Sequence, residues 1–177
     1  MHRSSILGSN LALVVVDAQR KFSIDRPDWA EIRDPGVAGM NRYIRMFREA
    51  GRPVILMAFQ GETHNPYSGD DGDEWLQGLD VQPSDIIVDK TCMSSFKNTE
   101  LEETLKRTGS DTVVIIGAYA EFCVAATFFS AIEHDIHAYI GKGGIIAWNN
   151  PGGIEATEML CGTASEELIR SKLFEKN

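Results

Sequence analysis

Short, unbroken apolar runs separated by amphipathic stretches constrain this chain more than any other feature. Leu11-Ala12-Leu13-Val14-Val15-Val16 is such a run, and its length and valine content read as a strand covered on both faces rather than as a buried helix. Segments 53–59, 85–89, 111–117 and 136–140 repeat the signal. Between the first two strands Val37, Met40, Ile44 and Phe47 recur at helical spacing after Asp34-Pro35-Gly36, and Gly51 closes the segment. Further helices are predicted over 99–108 and 124–133, with helix-like runs at 154–160 and 164–170 and a sixth strand near Ile169. Strands alternating with helices imply right-handed crossovers. The expected architecture is therefore a three-layer, doubly wound α/β fold, a mainly parallel sheet of about six strands with helices on both faces.

Composition narrows the function. The 177 residues are 43% hydrophobic, enough for one domain spanning 1–177 to bury a core without disulfide or metal staples. Seventeen basic residues against 26 acidic ones leave a net charge of −9, which argues against a nucleic-acid partner. No apolar stretch approaches the length of a membrane span and Met1-His2-Arg3-Ser4-Ser5 leads into no signal-type region, so neither a membrane nor export is expected, and the location is read as cytoplasmic. Cys92, Cys123 and Cys161 lack CxxC spacing, and His2, His64, His134 and His137 lack HxxxH spacing. Neither a disulfide framework, a metal site nor a cofactor is predicted. Gly141-Lys142-Gly143-Gly144 has neither Walker nor GxGxxG spacing and reads as a glycine turn. The glycine-rich, acidic stretch 60–84 reads as a long surface loop, either a lid or decoration.

In a parallel α/β sheet, ligands sit at the carboxyl ends of the strands. Asp17 follows the first strand, Lys90 the third, and Cys123 opens the helix after the fourth. Singly, each has a plain structural explanation: a turn cap, a solvated lysine, a small buried hydrophobe. Together they carry a chemistry. A helix N-terminus and a nearby ammonium favour the thiolate form of Cys123, and Asp17 can take up a proton and hand it to a leaving amine. Backbone around Gly117-Ala118-Tyr119 can supply oxyanion donors.

Three segments carry a family resemblance. Asp17 within Val15-Val16-Asp17-Ala18-Gln19-Arg20-Lys21-Phe22, Lys90 within the stretch Lys90 to Leu101, and Cys123 within Gly117-Ala118-Tyr119-Ala120-Glu121-Phe122-Cys123-Val124 resemble, in order and spacing, the motifs of the isochorismatase-like cysteine hydrolases, a group that includes nicotinamidases and N-carbamoylsarcosine amidases. The resemblance implies a six-stranded parallel sheet, an Asp17–Lys90–Cys123 triad, an acyl-enzyme on Cys123, and a cis peptide at Ala118–Tyr119 beside oxyanion donors from Tyr119 and Cys123. The chain departs from the pattern in three places. Ala120 stands where threonine is usual, His64 stands alone where nicotinamidases carry an Asp-x-His metal pair, and Gly141 to Gly144 replace a usual Asp-Ala.

Phe22, Trp29, Phe59, Tyr119 and Trp148 are aromatic residues able to line a pocket for a flat or small apolar ligand, and Phe22, Gln19 and Trp148 are taken as its lining. The expected activity is hydrolysis of a carbon–nitrogen amide bond in a small molecule. Two alternatives stand beside it: vinyl-ether hydrolysis of the isochorismatase type, which leans on Asp17, and a redox or ligand-binding module motivated by the three thiols. Relatives of this group assemble, so a homo-oligomer, dimer or tetramer, is expected.

Overall fold

The computed structural model describes residues 10–61 and 72–175. Six strands, β1 (Leu11–Val16), β2 (Val54–Phe59), β3 (Ile86–Lys90), β4 (Thr112–Ala118), β5 (His137–Ile146) and β6 (Thr163–Ala164), pair in the order β3-β2-β1-β4-β5-β6. Every pairing is parallel. Five helices, α1 (Trp29–Glu49), α2 (Leu101–Thr108), α3 (Ala125–Glu133), α4 (Gly152–Leu160) and α5 (Glu166–Leu173), supply the crossovers. The coverage of both faces expected from the unbroken apolar run is visible in β1 itself. Leu11, Leu13 and Val15 join the core beneath α1 and α5, whereas Ala12, Val14 and Val16 join the core beneath α2, α3 and α4.

The structure corrects four expectations. The predicted helix after Asp34 begins at Trp29, and Pro35 lies inside it. Trp29 and Gly36 are buried and Ile32 packs on the same core, so the early turns do present an inward face, but one of its three members is a glycine and adds no apolar signal. The Gly141 to Gly144 segment is not a turn: β5 runs through it to Ile146. Ile115 pairs with Ile140 while Gly117 pairs with Ile145, so the extra residues bulge out opposite Ile116. The sixth strand lies at Thr163–Ala164, and Ile169 is instead buried in α5. That helix starts at Glu166, behind a Ser165 cap whose hydroxyl accepts from the Leu168 N–H at 3.2 Å.

The bulge in β5 is held from α1. Tyr43 donates its hydroxyl to the Lys142 carbonyl at 2.8 Å. Gly39 lies so close to the same segment that a Cβ there would overlap the Gly143 carbonyl. Glycine is thus what lets a long helix lie directly on the bulged strand. All six strand ends point the same way, while the turns at 50–53 and 109–111 bring the chain back at the opposite edge.

Candidate active site

The strand order reverses between β1 and β4, and in an open parallel sheet such a reversal opens a crevice at the carboxyl ends. Asp17 sits at that point, directly after β1, with a left-handed φ of 49°. Its amide donates to the Met57 carbonyl at 3.3 Å and its carbonyl accepts from Gln19 at 2.8 Å. Beside it, Gly117 near the end of β4 has φ 119° and backs onto Val16 so tightly that a side chain would collide with the β1 backbone. This close approach brings the segments that follow the two central strands together.

Lys90 ends β3, one strand further out. Its register partner on β2 is Phe59, and the lysine passes over that residue, with its ammonium 6.0 Å from the Phe59 ring centroid. The ammonium ends 2.8 Å from Asp17 Oδ2 and donates to the Met93 carbonyl at 2.8 Å. Both charged side chains are sealed from solvent. The contact with Asp17 is an ion pair rather than an aligned hydrogen bond, and among the described residues no other well-directed donor reaches its carboxylate.

Cys123 reaches this pair from a π turn, Ala120–Val124, that leads into α3. Phe122 and Val124 both donate to the Tyr119 carbonyl, at 3.0 and 3.2 Å. The Ala118–Tyr119 peptide entering this turn is cis. The three sequence-predicted residues Asp17, Lys90 and Cys123 thus converge, with the thiol interacting with both charged partners.

The electrostatics differ from the sequence expectation in one respect. Burial pushes the Cys123 thiol up to about 12, and the Asp17 carboxylate pushes the same way, outweighing Lys90. Burial also raises Asp17 above the ordinary carboxylate range, against the lowering pull of Lys90, Cys123 and Lys21. The resting site therefore holds a protonated thiol beside the Asp17–Lys90 pair, not the preformed thiolate that a helix N-terminus alone would favour.

The surroundings are aromatic. Phe22 meets Phe59 edge-on at 5.6 Å, and Tyr119 meets Trp148 at 5.5 Å and Trp29 at 6.4 Å, also edge-on. Tyr119 donates its hydroxyl to the Phe22 carbonyl, which ties the π turn to the segment after β1. Gln19 is buried and its amide is engaged by protein: it accepts from Phe59 N–H at 2.7 Å and donates to the Phe59 and Asp73 carbonyls at 3.4 and 3.1 Å. It holds the wall in place rather than offering a free amide to the crevice.

The described part of the long loop, from residue 72, folds back onto the segment after β1. Trp75 bridges Gln19 in antiparallel fashion, Leu76 donates to the Ala18 carbonyl, and Arg20 and Lys21 donate to the Glu74 and Gly72 carbonyls. His64 lies outside the described residues. Among those that are described, no group of three His, Cys, Asp or Glu side chains converges as a metal site, and no helix is long and apolar enough to cross a membrane. Cys92, Cys123 and Cys161 are all free thiols.

Two residues escaped sequence reasoning. Lys21 is buried, pairs with Asp73, donates to the Phe59 carbonyl at 3.1 Å and has its ammonium 6.0 Å from the Phe59 ring centroid. It joins the folded-back segment to β2 and adds a second positive charge near Asp17. Glu121, two residues before Cys123, accepts from the backbone of Trp148 and Asn149. Both lie inside the family-like motifs, yet only the fold brings their partners near.

A six-stranded parallel sheet with a buried carboxylate, ammonium and thiol gathered at its topological switch point defines a doubly wound α/β protein with a candidate active site at the strand ends. The Isochorismatase domain model matches residues 11–151, and the chain belongs to the isochorismatase family. It is 31% identical over 119 residues to the isochorismatase family protein YrdC of Bacillus subtilis, a match covering 66% of this chain and 63% of that protein, so under two thirds of that relative's length. It is 27% identical over 149 residues to a probable isochorismatase of Pseudomonas chlororaphis, covering 77% and 71% of the two chains. The crystal structure of N-carbamoylsarcosine amidase from Thermoplasma acidophilum superposes with a TM-score of 0.73 at 27% identity, over 88% of this chain and 95% of that one.

Proposed function

We propose that this chain hydrolyses a carbon–nitrogen amide bond in a small molecule through an acyl-enzyme on Cys123, without a cofactor. The observation that carries the reading is the buried Asp17–Lys90 ion pair set against the Cys123 thiol. As the sulfur attacks the carbonyl carbon, its proton passes to Asp17 and an S–C bond forms. Lys90 holds the carboxylate in place and balances its charge. The amide N–H groups of Tyr119 and Cys123 receive the developing oxyanion. Collapse breaks the C–N bond as Asp17 returns the proton to the leaving nitrogen. Water then gives a proton to Asp17 and its oxygen to the acyl carbon; the C–S bond breaks and the sulfur regains its proton. The similarity to an N-carbamoylsarcosine amidase supports this reading.

A thiol that is protonated at rest fits the scheme, because the carboxylate beside it serves as base in the same step that forms the bond. Incubation with a panel of small primary amides, followed by intact-mass measurement, tests it. An adduct on Cys123, with release of ammonia, is expected. Cys123→Ala must remove both adduct and turnover; full activity in that variant overturns the mechanism.

A second reading has its own support. Burial raises the proton affinity of Asp17, which suits an acid that protonates a vinyl ether, and the Pseudomonas chlororaphis relative bears the name isochorismatase. That chemistry survives Cys123→Ala, which the acyl-enzyme route does not, so this variant separates the readings; both lose activity in Asp17→Asn.

A further inference from the structure

The turn that presents Cys123 also presents a carboxylate that no step above uses. Glu121 Oε2 accepts the Trp148 N–H at 3.1 Å and Oε1 accepts the Asn149 N–H at 2.8 Å. Hydrogen bonds to a charged acceptor are roughly twice as strong as neutral ones, and here both oxygens are engaged by consecutive amides. The carboxylate also rests against Gly153 in the first turn of α4, where a Cβ would overlap it. The segment it grips follows β5 and contains the cis Asn150–Pro151 peptide.

The grip matters because of what that segment carries. The Trp148 ring stands edge-on to Tyr119 at 5.5 Å, and Tyr119 precedes the π turn and bonds to the Phe22 carbonyl. The Trp148 ring and Cys123 are therefore both referred to the backbone of residues 119–124. With both oxygens bound to amides, Glu121 acts through Trp148 rather than on a substrate directly.

We propose that Glu121 is a positioning residue that sets specificity: by fixing Trp148 relative to the Cys123 turn, it selects acyl groups with a flat or apolar face. This rests on Cys123 being the nucleophile.

The test compares two electrophiles that alkylate thiols, iodoacetamide as the small probe and N-benzyl-2-chloroacetamide as the aromatic one. Their rates at Cys123 are followed by peptide mass spectrometry at mildly alkaline pH, and the readout is the ratio of aromatic to small. In Glu121→Gln, which keeps the shape but leaves one accepting oxygen, the ratio should fall at least fivefold. Gly153→Ala, which pushes the carboxylate off its seat from the other side, should lower it similarly and serves if the first variant folds poorly. Trp148→Leu should lower it too, and adding Glu121→Gln to that change should lower it no further. A ratio unchanged in both Glu121→Gln and Gly153→Ala overturns the proposal, as does an additive double variant. Turnover retained in Cys123→Ala overturns the nucleophile assignment and this proposal with it; a labelled Cys123 with an unchanged ratio sinks only the role of Glu121.

Discussion

Lys90 reaches over the end of β2 to set its ammonium 2.8 Å from the Asp17 carboxylate, and neither side chain touches solvent. Removing one partner of such a pair strands a buried charge, at a cost of about 3–5 kcal/mol, whereas replacing both is often neutral. Asp17→Asn and Lys90→Met should each lower the free energy of urea unfolding by about 3 kcal/mol, and the double variant should recover most of it. The sign with pH follows from the raised Asp17 pKa: the folded state prefers the protonated acid, so stability is lost as pH rises from the unfolded value near 3.8 through the higher folded one. Without Lys90 that preference strengthens. The Lys90→Met deficit should be larger at pH 8 than at pH 5.

The thiol offers a test with an unusual sign. Because burial and then Asp17 hold Cys123 near 12, alkylation by iodoacetamide should rise roughly tenfold per pH unit across the neutral range with no plateau there. Asp17→Asn removes one of the two upward pushes. It should speed alkylation at pH 8 while abolishing hydrolysis, and a slower reaction would show that Asp17 activates the thiol even without substrate.

Lys21 should matter without touching the thiol. It pairs with Asp73, donates to Phe59 and lowers Asp17, so Lys21→Met should move the acid limb of the activity profile upward and speed proteolytic cleavage near residues 72–76. Lys21→Arg should restore the first effect better than the second.

Gly39→Ala should cost about 1–3 kcal/mol, because the new methyl meets the Gly143 carbonyl. Thermal unfolding checks this, and a neutral result would mean that α1 can lift off β5 freely.

Five strands were legible because each is written as a run of apolar residues, even in the edge strand β3 where Ile87 stays exposed, and the residues at or after the ends of β1, β3 and β4 were legible as a site because a parallel sheet gathers its strand ends. What escaped was hidden for physical reasons. Gly141 to Gly144 look like a turn because nothing in a glycine run records that Tyr43 and α1 will hold it in a strand. β6 is two residues long, too short for any alternation to register. The state of Cys123 was misread because a helix terminus can be seen in sequence, whereas burial beside a carboxylate cannot. Glu121 and Lys21 have their meaning in Trp148, Asn149 and Asp73, partners 27, 28 and 52 residues away.

The turns at 50–53 and 109–111 return the chain on the rim remote from Asp17, Lys90 and Cys123. An affinity handle or solid-support tether grafted there leaves the reactive crevice facing outward, so the enzyme can be immobilised in one orientation with its mouth open to the medium.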